Sequence, residues 1–275
     1  MSLRLPQAES IAKSSMSEPF PTSHFRLGSF AQRHYKRAPI IEAMITFNLE
    51  MPSGFEAEAL RNFAQESNLS YGAAGEERAM GFTASPAGVN TQESTLFGFR
   101  FVSQDGKYAL ACRINAFSLS RLAPYETWEA FRDETRGLWK VFREKYNPVK
   151  VNGLSVRYIN RIEIPWKPGQ QIDFRWYFRT FPEVSSDLDV GMESFYMRVD
   201  IPLYSIGARL ILNQARLPAA SPQPESLSVL LDSDLIFSCE DGTEDYIWDH
   251  CEILRKAKND VFEACITNLT RELFQ

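Results

Sequence analysis

Apolar and polar residues alternate with a period of two along several stretches of this chain, the pattern of strands with one buried side. In the run Leu154 to Pro165, Leu154, Val156, Tyr158, Ile162 and Ile164 share one face with Asn160 among them. Arg157, Arg161 and Glu163 lie on the other face with Ile159. The run Ser226 to Ser238 repeats the arrangement, with Leu227, Val229, Leu231, Leu235 and Phe237 on one side and Asp232 and Asp234 projecting from the other. Further strands are expected at Ile40 to Leu49, near Arg78 to Ala84, at Leu96 to Ser103, Tyr108 to Phe117, Ser194 to Leu203 and Ala208 to Leu217. Asp105-Gly106 suits a tight hairpin turn, because glycine adopts positive φ without strain.

Helical spacing appears elsewhere. Trp128, Phe131, Thr135, Leu138 and Phe142 recur at intervals of three and four after Pro124, until Asn147-Pro148 ends the pattern. A final helix from about Glu244 carries Ile247, Cys251, Leu254, Val261 and Cys265 along one stripe, which Lys258 interrupts. Glu244, Asp245 and Asp249 crowd its N-terminal end, where the helix dipole favours acids. Ser53 and Glu56 form a capping-box pattern before a short helix with Phe55, Ala59 and Phe63, and Asp173 opens another that contains Trp176, Tyr177 and Phe178.

These elements predict an α+β fold of mostly antiparallel sheets with helices packed on one face. The order β-α-β-β-β-α occurs twice, so an internal duplication is expected, with a flexible arm over residues 1–34 and α+β halves over 35–150 and 151–275. The first stretch is rich in Ser and Pro, Met16 offers an alternative start, and the basic run from His24 to Arg37 reads as a solvated tail.

Composition narrows the classes. A 44% hydrophobic content with 20 Phe supplies a globular core, and a net charge of −5 argues against a nucleic-acid-binding protein. Cys112, Cys239, Cys251 and Cys265 lack CxxC or zinc-finger spacing, so reduced, buried thiols are expected. No apolar run suits a membrane span or signal peptide, and the expected location is the cytoplasm.

No motif names a reaction. Two carboxylates two residues apart on a strand, Asp232 and Asp234, are a pattern that Mg²⁺-dependent phosphoryl-transfer sites use, with Glu163 available as a third acid. A Gly-rich phosphate cradle is missing upstream. The competing reading places Asp232 and Asp234 opposite Arg157 and Arg161 on a charge-paired sheet face, and a third makes that face a groove for a ligand or peptide. Asn160 joins Arg157, Arg161, Glu163, Asp232 and Asp234 as a candidate contact residue. No nucleophile elbow, P-loop or Rossmann fingerprint is present, and His250 beside Cys251 reads as a surface position next to a core thiol. The aromatics Trp166, Trp176, Tyr177 and Phe178 suit core packing or a partner surface.

Four segments carry a family resemblance: Tyr35-Lys-Arg-Ala-Pro-Ile-Ile-Glu-Ala43, Val156-Arg-Tyr-Ile-Asn-Arg-Ile-Glu-Ile-Pro165, Leu231-Asp-Ser-Asp-Leu235 and Lys258-Asn-Asp-Val-Phe-Glu-Ala-Cys-Ile-Thr267. Together they resemble a sporadically distributed bacterial family of hypothetical proteins with no assigned reaction, over about Tyr35 to Phe274. The family has two prolines where this chain has Ala38-Pro39. The resemblance implies bacterial origin and accessory or mobile gene cargo, and it supplies no catalytic residues. The functional expectation is a non-enzymatic protein-binding or assembly module without a cofactor, holding a protein partner or a second copy of itself. The alternative is a Mg²⁺-dependent enzyme acting on a nucleotide or phosphoester.

Overall fold

The structure, a computed structural model, describes residues 33–79, 94–167, 169–185, 192–218, 225–240 and 242–275, positions 28, 30, 31 and 187, and the backbone of two short strands at Phe82–Ser85 and Gly88–Thr91. Residues 1–27, the bulk of the expected arm, and 219–224, most of the proline-rich loop, lie outside the described residues. In chain order the strands are β1 (Ile40–Glu50), β2 (Gly75–Ala79), β3 (Phe82–Ser85), β4 (Gly88–Thr91), β5 (Thr95–Val102), β6 (Tyr108–Arg113), β7 (Ala116–Leu122), β8 (Lys150–Pro165), β9 (Tyr196–Leu203), β10 (Ala208–Arg216) and β11 (Ser226–Ser238). The helices are α1 (Phe63–Glu66), α2 (Trp128–Tyr146), α3 (Glu244–Cys265) and α4 (Asn268–Glu272).

Nine strands form one antiparallel sheet in the order β2-β5-β6-β7-β1-β8-β11-β10-β9, and β3 pairs with β4 separately. This is an α+β architecture with a single large sheet. Outward from β1 the strands run β7, β6, β5 and then β2, and outward from β8 they run β11, β10, β9, so the first half carries one more strand. The two central strands pair with each other, Phe47 opposite Leu154 and Ile45 opposite Val156, so residues on either side of Lys150 share one ladder.

One face of the sheet packs on the helices. Phe47 on β1 meets Trp139 of α2 at 4.9 Å and Trp248 of α3 at 5.6 Å between ring centroids, and the buried aromatic and aliphatic side chains of both halves form one core. The expected stripe of α2 is buried throughout, with Trp139 added. Its N-cap is Thr127, whose hydroxyl accepts from the Ala130 amide at 3.2 Å, and its C-cap is Asn147 at φ 45°. The Asp105-Gly106 hairpin forms, with Gly106 at φ 70° and the Asp105 carboxylate accepting from the Ser103 hydroxyl and the Lys107 amide.

Three local expectations change, the first being the short helix expected from Asp173, which is a 3-10 turn at Phe174–Trp176 with Asp173 as its cap. The single strand expected from Tyr108 to Phe117 is two strands, β6 and β7, because the chain turns at Ile114-Asn115. Residues 109–112 and 116–121 are buried on both faces, so no polar alternation marks the reversal. The Ser53/Glu56 pattern leads into a 3-10 turn at Ala57–Leu60 and the single-turn α1; Glu56 makes no side-chain cap bond.

Candidate functional site

Strand β8 presents its two faces to two different surroundings. On the face away from α2 and α3, the Arg157 guanidinium grips Asp232 on β11 with both oxygens engaged, Nε to Oδ1 at 2.8 Å and Nη2 to Oδ2 at 2.7 Å. The Asn213 amide on β10 donates to the same Oδ2 at 3.0 Å, and Asn213 accepts from the Tyr196 hydroxyl on β9 at 2.9 Å. Asp232 is buried and Arg157 about one third exposed. The fork raises the Arg157 pKa, because Asp232 stabilises its charged form. Asp234 projects beside them, opposite Arg157 in register, yet its buried Oδ1 has no hydrogen-bond partner among the described residues and burial pushes its carboxyl pKa up.

Arg161 pairs with Glu163 rather than with either aspartate, Nε to Oε1 at 2.6 Å. Glu163 also accepts from the hydroxyls of Ser226 and Ser228 at 2.7 and 2.8 Å. Burial alone would raise its carboxyl, and these bonds together with the Arg161 charge hold it below its ordinary value. Glu163 is opposite Ser228, four residue pairs along the ladder from Asp232. At ~3.4 Å per residue that is roughly 14 Å, too far for one metal ion. The three acids therefore do not converge, and no group of three metal-binding side chains occurs among the described residues.

On the helix side, at the end of the sheet where β8 leaves β1, lies a cavity of about 740 Å³. Its walls are the segment Arg33 to Ile41, the loop from Ala123 to Glu129, β8 at Tyr158 and Asn160, and the last turns of α3. Arg161 and Glu163 reach its rim, so with Asn160 three of the six candidate residues border this space, while Arg157 and Asp232 form the fork and Asp234 lies beside it.

The segment that closes the cavity is anchored through Tyr35 and Arg37. The Tyr35 hydroxyl donates to Glu263 of α3 at 2.6 Å, and its ring packs edge-on against Phe262 and Phe274. Glu263 is buried and accepts from Arg271 Nε at 2.7 Å, while the Arg37 amide donates to the Phe274 carbonyl at 3.1 Å. Burial and the Glu263 contact push the Tyr35 pKa well up. Part of the sequence read as a solvated tail is therefore docked on α3 and the chain's last residues.

The innermost wall carries the unusual chemistry. Lys258 is buried, its ammonium nitrogen 3.6 Å from the centroid of the Tyr158 ring. The Tyr158 and Tyr125 hydroxyls share a hydrogen bond of 2.8 Å. Among the described residues no carboxylate forms an ion pair with Lys258 or with Arg255, one helical turn earlier on α3 and also lining the cavity. Burial, and secondarily the Arg255 charge, lower the Lys258 pKa to about 7. Burial pushes Tyr125 up to about 12 and Tyr158 well above its ordinary range.

Asn160 is on the helix-facing side as the alternation implied, buried, with its amide donating to the Leu231 carbonyl at 3.2 Å. Lys258 was visible only as a break in an apolar stripe, and Tyr125 carried no periodic signal because it sits in a loop. The four cysteines are free and buried, and burial pushes each thiol pKa up. His250 stacks on Phe237 with centroids 4.2 Å apart, and Cys251 packs in the core beside it. Phe174 and Phe178 are buried, whereas Trp176 is 66% exposed. No described helix is long and apolar enough to cross a membrane.

No protein-family model matches the chain, and no curated protein matches it.

Proposed function

We propose that this protein is a binding module whose cavity holds a small organic anion between α3 and the Tyr35 segment. One observation carries the reading: Arg255 and Lys258, neighbours at i and i+3 on α3, both line the cavity without a carboxylate partner among the described residues. A buried cation without a counter-charge is costly, and an anionic guest offsets that cost. Tyr125 and Asn160 add polar atoms to the walls, while Trp128 and Phe262 add apolar ones, a mixture that suits small-molecule sites.

Thermal-shift titration with acetate, lactate, pyruvate and inorganic phosphate, against chloride at matched ionic strength, tests this. A carboxylate at a hundredfold excess over its Kd stabilises by about 2.7 kcal/mol, and Arg255→Gln reduces the shift. If none of these anions moves the wild-type transition more than chloride does, the reading fails.

A protein partner is the second reading, supported by exposed aromatics near the sheet edge. Tyr196 on β9 is 69% exposed, Tyr204 just beyond it 88%, and β9 ends the strand order. An edge strand flanked by aromatics suits addition of a strand from a second chain. Size-exclusion chromatography with light scattering checks self-association; a monomer at high concentration, with no change on Tyr196→Lys, counts against it. The shared outward order, β7, β6, β5 from β1 and β11, β10, β9 from β8, with β2 as an extra edge strand of the first half, supports descent of the halves from one duplicated β-α-β-β-β-α unit. In the bacterial accessory setting that the motif resemblance implies, either mode would suit a sensor or assembly component.

A further inference from the structure

We propose that Lys258 is a nucleophile that forms a reversible imine with an oxo acid bound in the cavity, the carboxylate of the oxo acid resting against Arg255. The inference rests on the anion-binding reading and names the ligand class that the site would take.

Three observations converge. The Lys258 nitrogen sits 3.6 Å from the centroid of the Tyr158 ring, and although Glu126, Glu129 and Glu263 also line the cavity, no carboxylate among the described residues forms an ion pair with it. Arg255 stands one turn away, ~5–6 Å between Cβ atoms, the separation that lets one small molecule present a carboxylate to the guanidinium and an adjacent carbonyl carbon to the amine. The linked hydroxyls of Tyr125 and Tyr158 supply proton donors in the same wall. A lysine desolvated beside another cation is a recognised way to obtain a free amine near neutral pH. Burial lowers the Lys258 pKa to about 7, so the free amine is far more populated at neutral pH than the order of one part in a thousand found for an ordinary lysine.

The chemistry balances without an external oxidant or reductant. The amine lone pair adds to the carbonyl carbon, forming the C–N bond as the carbonyl oxygen takes a proton. The C–O bond then breaks, and the oxygen departs as water with the two hydrogens that the amine gave up. The product is a C=N bond to Lys258, and water reverses the step. In this step the Tyr125 hydroxyl passes a proton to the oxygen and takes one back from the amine nitrogen, so the net transfer is of the two amine hydrogens and the tyrosine is not consumed.

The test is borohydride reduction of the full chain in the presence of pyruvate, followed by intact-mass measurement and peptide mapping. Lactate, which has the carboxylate and lacks the carbonyl, is the control, and thermal shift is recorded for both. The expected result is one reduced adduct, on Lys258, at least about tenfold above the exposed neighbour Lys256. Lysine 258 replaced in Lys258→Met loses the adduct. Site mapping on the wild type decides the question even if that variant fails to fold. Stabilisation by pyruvate and lactate without a Lys258 adduct overturns the imine and leaves anion binding intact. Adducts confined to surface lysines overturn it as well. No stabilisation and no adduct overturns both readings.

Discussion

Arg157 and Asp232 join β8 to β11 diagonally: Arg157 is opposite Asp234 in register, yet its guanidinium takes both oxygens of Asp232, two residues back. One aspartate is consumed by the fork; the other stands beside it, bonded to Ser155 but with no ion-pair partner among the described residues. The two should respond differently to substitution. Asp232→Ala strips Arg157 of both bonds and Asn213 of an acceptor, and should cost about 2 kcal/mol, moderated because Arg157 is one third exposed and screened by solvent. Asp234→Asn should change stability at pH 7 by less than about 0.5 kcal/mol or raise it. Its folded-state pKa lies above the unfolded value, so the charged form is a cost that the amide removes. Urea unfolding of both variants at pH 7 measures the difference; an equal loss in each would contradict the assignment.

The Tyr35 latch is testable in two steps. Tyr35→Phe keeps the ring against Phe262 and Phe274 and deletes one bond, for a loss of about 1 kcal/mol. Glu263→Ala leaves Arg271 buried without its partner and should cost about 3 kcal/mol. Amide exchange over residues 33–39 should accelerate in both variants before global unfolding does, which separates release of the segment from loss of the fold.

Lys258 makes stability depend on pH in a defined window. Its folded-state pKa, about 7, lies below the ordinary unfolded value of ~10.4, so between these limits the unfolded chain binds the extra proton and stability rises with pH. The slope from this group approaches 1.4 kcal/mol per pH unit above pH 7. The cavity also contains Tyr158, Tyr125, Arg255, Glu126, Glu129 and Glu263. The raised tyrosines and thiols act in the opposite direction at higher pH, since they hold protons that the unfolded chain has lost. Denaturant midpoints from pH 7 to 8, below the range where unfolded thiols ionise fully, should therefore climb in the wild type and level off or fall in Lys258→Met. An unchanged slope in the variant would show that another group is responsible.

Glycine positions offer a contrast within the fold. A Cβ at Gly98 on β5 would stand 2.5 Å from the Cys112 carbonyl oxygen of β6, backbone that cannot step aside. Gly98→Ala should cost about 2 kcal/mol or more. Gly137, on the exposed side of α2, meets nothing within 4 Å, and Gly137→Ala should stabilise by up to about 1 kcal/mol. Thermal melts of the pair would show opposite signs.

Much of this arrangement was legible from alternation alone, and the limits have physical causes. Period two assigned the faces of β8 and β11 correctly, including Asn160 on the buried side and Arg157 and Asp232 on the other. Alternation says which face a side chain takes and nothing about which residue it meets across the ladder. That is why Arg161 was matched with an aspartate and is found on Glu163. The cavity was hidden for another reason: its walls come from four separated segments, and only tertiary folding brings Tyr35, Tyr125, Tyr158 and Lys258 together. The apolar stripe of α3 did contain the clue, a lysine where packing called for a hydrocarbon.

The central pairing of β1 with β8 has a consequence for how this chain can be divided. Each strand has a partner from its own half on one side and from the other half on the other: β7 and β8 for β1, β1 and β11 for β8. A cut near Pro148 would leave each fragment with a long strand whose outer row of amides and carbonyls has lost its partner. Such edges recruit other strands indiscriminately, so the isolated fragments should be sticky and insoluble, and should become soluble when they are expressed together and find each other.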